Sequence, residues 1–290
     1  MPDIFDLFTI PLRDWINVFI DWLVANFRPF FRAAREPIGY VLDGVEAILQ
    51  NTPPLLFLIL LFLLAMWIAG WRVGLFSVIG MAFLGFVGIW TDTMTTLSLV
   101  ITAVLFCALT GIPLGILAAR SKTVWTVMRP VLDTMQTTPS FVYLVPIAIL
   151  FGIGNVAGII ATIIFALPPI IRLTNLGIRN VPEDMVEAAY AFGSTPRQVL
   201  LEVQLPLALR TILAGLNQTL MLALSMVVIA SLISAGGLGT MVLRGISRLD
   251  MGLATVGGVG IVLLAIVLDR ITQALGPAGQ QSPSAAHKTA

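Results

Sequence analysis

The chain has 290 residues, of which 58% are hydrophobic and 11% charged, and its mean hydropathy is +0.99. That composition excludes a soluble domain and points to an all-α polytopic membrane protein, because several apolar runs reach the roughly 20 residues a helix needs to cross a bilayer. A net charge of +1 gives no electrostatic draw for nucleic acid, and a single cysteine with a single histidine leaves no basis for an internal disulfide or a Cys/His metal site.

Residues 1–50 do not read as a signal peptide. Acids come early, at Asp3 and Asp6, and Asp14, Asn17 and Asp21 interrupt the apolar residues. Arg13, Asp14, Asn17, Asp21 and Arg28 fall on one side of a helical wheel. Leu12, Trp15, Ile16, Phe19, Trp22, Leu23 and Phe27 fall on the other. The pattern predicts an interfacial amphipathic helix, with tryptophans at headgroup level, or a helix packed on the domain's own flank. Residues 30–50 read as a second short segment on the same membrane face.

About seven spans follow, over residues 53–70, 73–90, 94–119, 131–151, 156–171, 203–233 and 251–271, with Gly111 and Pro113 as kink points in the third. The organisation is then an N-terminal segment at 1–50, a transmembrane domain at 51–273 and a polar tail at 274–290. Basic residues in short loops set orientation. Arg72, Arg120, Lys122, Arg129, Arg172, Arg179, Arg197 and Arg210 share one side, taken as cytoplasmic, while Arg244 and Arg248 dissent. The expectation is an N-terminus outside and a C-terminus in the cytoplasm.

The most polar interruption between two apolar runs is residues 180–206. Pro182, Glu183 and Asp184 write a helix start, Gly193 a stop, and Ser194, Thr195 and Pro196 the next start. No GxxxxGK[ST] occurs in the chain, so an ATP-driven process would need a separate ATPase. Within the hairpin the pattern E-A-A-x3-G-x9-V-x-L-P is carried by Glu187, Ala188, Ala189, Gly193, Val203, Leu205 and Pro206. It resembles the EAA loop of bacterial ATP-binding-cassette importer permeases and departs from that pattern only in Val203 for isoleucine. Two further strings, DTMQTTPSFVYLVP from Asp133 and ASLISAGGLGTMVLRGI from Ala230, look like the glycine betaine/proline betaine/choline branch of that family. The similarity runs over roughly residues 55–272.

The resemblance implies a type I importer transmembrane domain in a bacterial inner membrane, working as two copies with two ATPase subunits and a periplasmic or lipid-anchored binding protein. ATP and Mg would belong to the ATPase, and this chain would carry no cofactor and no catalytic residue. Glu183, Asp184, Glu187, Ala188, Ala189, Gly193, Pro196, Leu205 and Pro206 would form the surface that receives the ATPase. Alternatives are an importer for another small solute, such as an amino acid or an oxyanion, and an ion-coupled secondary transporter. The latter is expected to bury a carboxylate in mid-span, whereas Asp92, Asp133 and Asp269 sit near span ends.

Uncharged polar residues inside the spans are candidates for the solute path. They are Gln136, Thr137, Thr138, Ser140 and Tyr143 around Pro139 in the fourth span, and Asn217 and Ser225, which share a face with Met221, in the sixth. The competing reading is hydrogen bonding between helices, with Pro139 as a kink held by nearby hydroxyls. The Gly-rich run at 236–239 has no strand before it and predicts a sharp turn into a short helix rather than a nucleotide site.

Overall fold

The computed structural model describes residues 11–275. The acids Asp3 and Asp6, His287 and tail residues 276–290 lie outside the described residues. The described residues are almost wholly helical and contain no strand.

Helix α1 (Leu12–Asn51) is one continuous helix of 40 residues, not the two short segments expected from the sequence. Pro29 and Pro37 lie inside it. Both are exposed, so each carbonyl left without a donor faces the surroundings rather than the protein interior. Only Ile38 and Leu42 of α1 are buried. The helix is therefore a strap on the bundle's surface.

Helices α2 (Pro54–Ala69) and α3 (Trp71–Phe86) form an antiparallel pair about Gly70, whose φ of +90° suits glycine. At 16 residues each, they are about 24 Å long, short of a hydrocarbon core of about 30 Å. Helix α4 (Trp90–Arg120) runs unbroken through Gly111 and Pro113. Gly111 is a packing position: a Cβ there would lie 2.3 Å from Ile170 Cγ2.

The expected fourth span is broken. Helix α5 (Lys122–Thr137) and the segment Ser140–Phe151, which ends in α6 (Leu144–Phe151), meet at 105°. Proline explains the corner. Pro139 disfavours helical backbone at the residue before it, and Thr138 takes φ −72°, ψ 128°. The Thr138 hydroxyl then donates to the Thr134 carbonyl at 2.8 Å, closing the end of α5.

Helix α7 (Asn155–Arg179) is the centre of the bundle, with Ile159, Ala161, Ala166 and Ile170 fully buried. Beyond it lies a short polar helix, α8 (Glu183–Ala191). A turn of helix, α9 (Pro196–Gln198), and a π-helical stretch (Val199–Gln204) lead into α10 (Leu205–Ala230). Helix α11 (Leu238–Arg248) packs on α12 (Met251–Leu275), where Gly245 meets Ala254 and Gly257 meets Val242.

Four helical runs are long and apolar enough to cross a membrane: α4, α7, the run Pro196–Ile233 and α12. Two bent pairs, α1 with α2 and α5 with α6, pass only when joined, and α3 is shorter. The expected count of about seven thus includes segments that are short or angled.

The bundle has two ends. At one, Gly154 donates to the Ile233 carbonyl at 2.9 Å, Gly236 to Asn155 Oδ1 at 2.7 Å and Leu238 to Thr96 Oγ1 at 2.8 Å. The strap joins this end, where Gln50 donates to Thr95 at 3.0 Å and Arg35 to the Phe151 carbonyl at 3.0 Å. The α8 hairpin marks the other end.

Small residues let α4, α7 and α10 approach. A Cβ on Gly115 would lie 2.5 Å from Thr174 Cβ, and one on Gly215 would lie 3.0 Å from Leu173 Cβ. In a bilayer, where lipid is as apolar as leucine, such close packing is a main source of helix association. Gly115→Val is expected to destabilise the detergent-solubilised protein by about 1–3 kcal/mol through overpacking. Gly44→Ala, which meets nothing within 4 Å, is expected to leave the melting temperature unchanged or slightly raised. Thermal unfolding followed by loss of monodisperse protein checks both.

Candidate functional site

The hairpin at the far end is built by local chemistry. Pro182 precedes α8, with Glu183 and Asp184 in the first turn, where the amide dipoles favour acids. The helix is closed by Gly193 at φ +83°, with Ser194 N–H donating to the Ala189 carbonyl at 3.1 Å. Thr195 and Gln198 then form a reciprocal capping box, with Pro196 at the first helical position. The π-helical turn sits immediately before Pro206. Proline has no N–H to donate to the Glu202 carbonyl and its ring crowds that carbonyl, so a wider turn relieves the clash.

Nothing in α8 is buried. Met185 and Tyr190 are each 48% exposed, and Phe192, just past the helix, is 91% exposed. Glu183, Asp184, Glu187 and Ala188 are also exposed, and Ala189 is half-buried. Among the described residues none of the three acids forms an ion pair. Between α8 and the bundle lies a cleft of about 360 Å³, lined by Glu183, Glu187, Tyr190, Arg179, Ala119 and Gln204 among others. The hairpin packs on its own bundle at the base, where Val181, Val199 and Leu200 are buried, and leaves most of α8 exposed. Leu205 is half-buried and Pro206 exposed at the start of α10.

The residues singled out in the fourth span lie at the corner between α5 and α6, and most are already engaged. Arg172 Nη1 donates to Gln136 Oε1 at 2.6 Å, and its Nη2 donates to Asp133 Oδ1 at 2.6 Å. Thr137 donates to the Thr134 carbonyl at 3.3 Å, and the Tyr143 hydroxyl to the Met135 carbonyl at 2.8 Å. Ser140 opens the 3₁₀ turn that follows Pro139. The Thr138 hydroxyl closes the end of α5, and the Tyr143 hydroxyl bonds across the bend. Arg172, counted from the sequence among the loop cations, lies inside α7 and ties it to α5. Asp133, placed from the sequence only near a span end, is its partner.

On α10 the expected face is corrected in one position. Asn217 does not share an open face with Met221 and Ser225. Its amide donates to Asp269 at 3.4 Å and accepts from Thr272 Oγ1 at 2.6 Å, joining α10 to α12. Asp269 also takes two bonds from Gln273, at 2.8 and 2.7 Å. The uncovered stripe is instead Ala214, Gln218, Met221 and Ser225 at helical spacing, and Thr219 is fully buried. Three polar residues in a row, Asn217 to Thr219, point three ways, and only their partners decide which is free.

The chain is similar to known proteins. Residues 111–278 match the family described as binding-protein-dependent transport system inner membrane component. The chain belongs to that family. It is 59% identical over 267 residues to the glycine betaine/proline betaine transport system permease protein ProW of Escherichia coli (strain K12), covering 92% of this chain and 75% of that one. It is 48% identical over 270 residues to the glycine betaine/carnitine transport permease protein GbuB of Listeria monocytogenes serotype 1/2a (strain 10403S), covering 92% and 95%. Among solved structures, an inward-facing MetNI methionine ABC transporter chain superposes with a TM-score of 0.56 at 23% identity, covering 67% of this chain and 97% of that one. The fold is thus that of an ABC importer transmembrane domain, and the chain is a transport permease subunit rather than an enzyme, with ATP hydrolysis in a separate subunit.

The Arg172 fork makes a local prediction. Asp133 is 53% exposed at its side chain, so the pair contributes no more than about 1 kcal/mol by itself and acts mainly to orient α5. Arg172→Ala is expected to raise amide hydrogen exchange across residues 122–137 while α7 keeps its protection. Asp133→Asn should give a smaller rise. Exchange mass spectrometry of the purified protein reads both.

Proposed function

We propose that this permease carries glycine betaine and related quaternary amines, such as proline betaine and choline, into the cell, driven by ATPase subunits that dock on the α8 hairpin. The observation that carries the docking half is the hairpin's surface: a nine-residue helix with no buried residue, ending beside a 91% exposed phenylalanine. A helix that buries nothing of its own chain is stabilised by what it is pressed against. The solute half is supported by the two relatives above, a glycine betaine/proline betaine permease and a glycine betaine/carnitine permease.

In this reading two copies of the chain share one path, and each receives one ATPase subunit. Glu183, Asp184, Glu187, Ala188, Ala189 and Gly193 face that subunit. Pro196, Leu205 and Pro206 join the hairpin rigidly to α10, so a push on α8 reaches the spans. ATP and Mg act in the partner. The hairpin end is cytoplasmic, and the end with α1 and α11 meets a periplasmic or lipid-anchored binding protein. The N-terminus is then outside and the C-terminus inside, in a bacterial inner membrane. The open stripe of Gln218, Met221 and Ser225, together with the corner at Gln136, Thr137, Thr138, Pro139, Ser140 and Tyr143, lines the path. Arg172 holds that corner in the present conformation and releases or re-forms its fork as α5 and α7 move.

Reconstitution with the partner ATPase and binding protein tests the solute. Labelled glycine betaine should accumulate with ATP and not with an imposed ion gradient. Uptake of an amino acid instead, with no betaine uptake, would overturn the quaternary-amine assignment. Two substitutions test the docking. Gly193→Val places a β-branched residue at φ +83°, where only backbone strain opposes it because no atom lies within 4 Å. Glu187→Lys reverses a charge on the docking face. Each is expected to lower uptake at least tenfold while the spans stay folded and the ATPase stays active or becomes unregulated. Coupled uptake at the wild-type rate in both variants would remove the docking role.

A further inference from the structure

At the end of the bundle opposite the hairpin, a basic groove lies between α1 and α6. Arg28, Arg32 and Arg35 lie at i, i+4 and i+7 on α1, one face of the helix. With Phe31, Ile149, Phe151 and Gly152 they line a cavity of about 270 Å³ between α1 and α6. Phe31 packs edge-on against Phe151, with ring centroids 5.2 Å apart, which fixes the two walls. Arg35 donates one bond to the Phe151 carbonyl at 3.0 Å, leaving the rest of its fork free. Gly152 makes room for it, since a Cβ there would come within 3.3 Å of Arg35 Nη1. Among the described residues none of the three arginines has an ion-pair partner. A second cavity of about 260 Å³ shares Arg28 and Arg32 and has Glu36 on its wall.

We propose that this groove binds the phosphate of a glycerophospholipid, with the acyl chains running down beside α6. The inference rests on the reading of α1 as an interfacial strap. Its chemistry points to a lipid rather than to an acidic protein. The guanidiniums sit beside apolar walls, and Val145 and Ile149 on α6 are 64% and 46% exposed, a ready surface for hydrocarbon. Further along α1, Trp15, Phe19, Trp22, Phe27 and Phe30 are all exposed, a surface suited to the headgroup boundary. Arginine forks match phosphate oxygens in two-point contacts. Three of them without an ion-pair partner fit a lipid phosphate, and Glu36 lies on the wall of the second cavity only. A bound lipid would fasten the strap to α6, beside the corner where α5 turns.

The test uses the assembled transporter with its ATPase, delipidated in detergent, and native mass spectrometry titrations. Phosphatidylglycerol should bind, and diacylglycerol, which lacks the phosphate, should not. Arg28→Ala/Arg32→Ala should weaken phosphatidylglycerol binding about 25-fold, from about fivefold per lost guanidinium. Arg28→Lys/Arg32→Lys should weaken it less, because charge remains while the fork is lost. Equal binding of diacylglycerol, or retention of phosphatidylglycerol within twofold in the alanine variant, would overturn the proposal. So would full competition by inorganic phosphate, which would mark a small-anion site. If the alanine variant keeps its lipid and loses stimulation of ATP hydrolysis by the binding protein, the groove is a protein-docking surface and the lipid site is wrong. The strap itself is tested separately at Phe19, which is 59% exposed on the apolar side of α1. Phe19→Cys should be shielded from a membrane-impermeant thiol reagent and reached by a lipid-soluble one. Free reaction with the impermeant reagent would refute the interfacial reading, whereas shielding with no arginine effect refutes the lipid site alone.

Discussion

The close approach of α4, α7 and α10 is the constraint on which the rest depends. Gly111 and Gly115 on α4 meet Ile170 and Thr174 on α7, and Gly215 on α10 meets Leu173 and Ile170 from the other side. Side chains at these glycines would push the helices apart by more than packing can absorb. With them absent, α7 is clamped between two neighbours along its length. It also reaches from the turn at Gly154 to Arg179, just before α8. In the proposed docking role, a displacement of the hairpin would act on this tightly packed central rod.

Around that rod the attachments are of two kinds. At the strap end they are many and directional: Asn155 to Gly236, Thr96 to Leu238, and Gln50 to Thr95. At the hairpin end α8 buries nothing and leaves Met185, Tyr190 and Phe192 uncovered. One end is thus pinned by its own chain, and the other leaves its outer surface uncovered. Between them, the Arg172 fork and the Asn217–Asp269–Thr272 cluster cross-link α7 to α5 and α10 to α12. They are polar contacts that can break and re-form at lower cost than the glycine packing.

The parts of this arrangement that were legible in the sequence are those written locally. The hairpin's caps depend on residues within a few positions of one another: Pro182 with Glu183 and Asp184, Gly193, and Thr195 with Gln198. The long spans announce themselves by hydropathy. The broken fourth span was hidden because residues 131–151 are apolar on average, although Thr138 followed by Pro139 was a readable sign of a corner. Residues 30–50 read as a second segment, whereas α1 continues through Pro29 and Pro37, both on its exposed side. The polar cross-links were illegible because their partners are remote in sequence. Arg172 and Asp133 are 39 residues apart, and Asn217 and Asp269 are 52 apart. No periodicity within one helix tells which of Asn217, Gln218 and Thr219 will find such a partner.

The claim at the centre of this account is that the α8 hairpin is where a separate ATPase seats itself. A photo-crosslinking amino acid at Tyr190, half exposed on the hairpin cleft, tests it most directly in the complete transporter. Irradiation should give a covalent product between this chain and the ATPase subunit, and its yield should change when ATP is bound. Products confined to lipid or to a second permease chain, in a preparation that hydrolyses ATP and takes up solute, would contradict it.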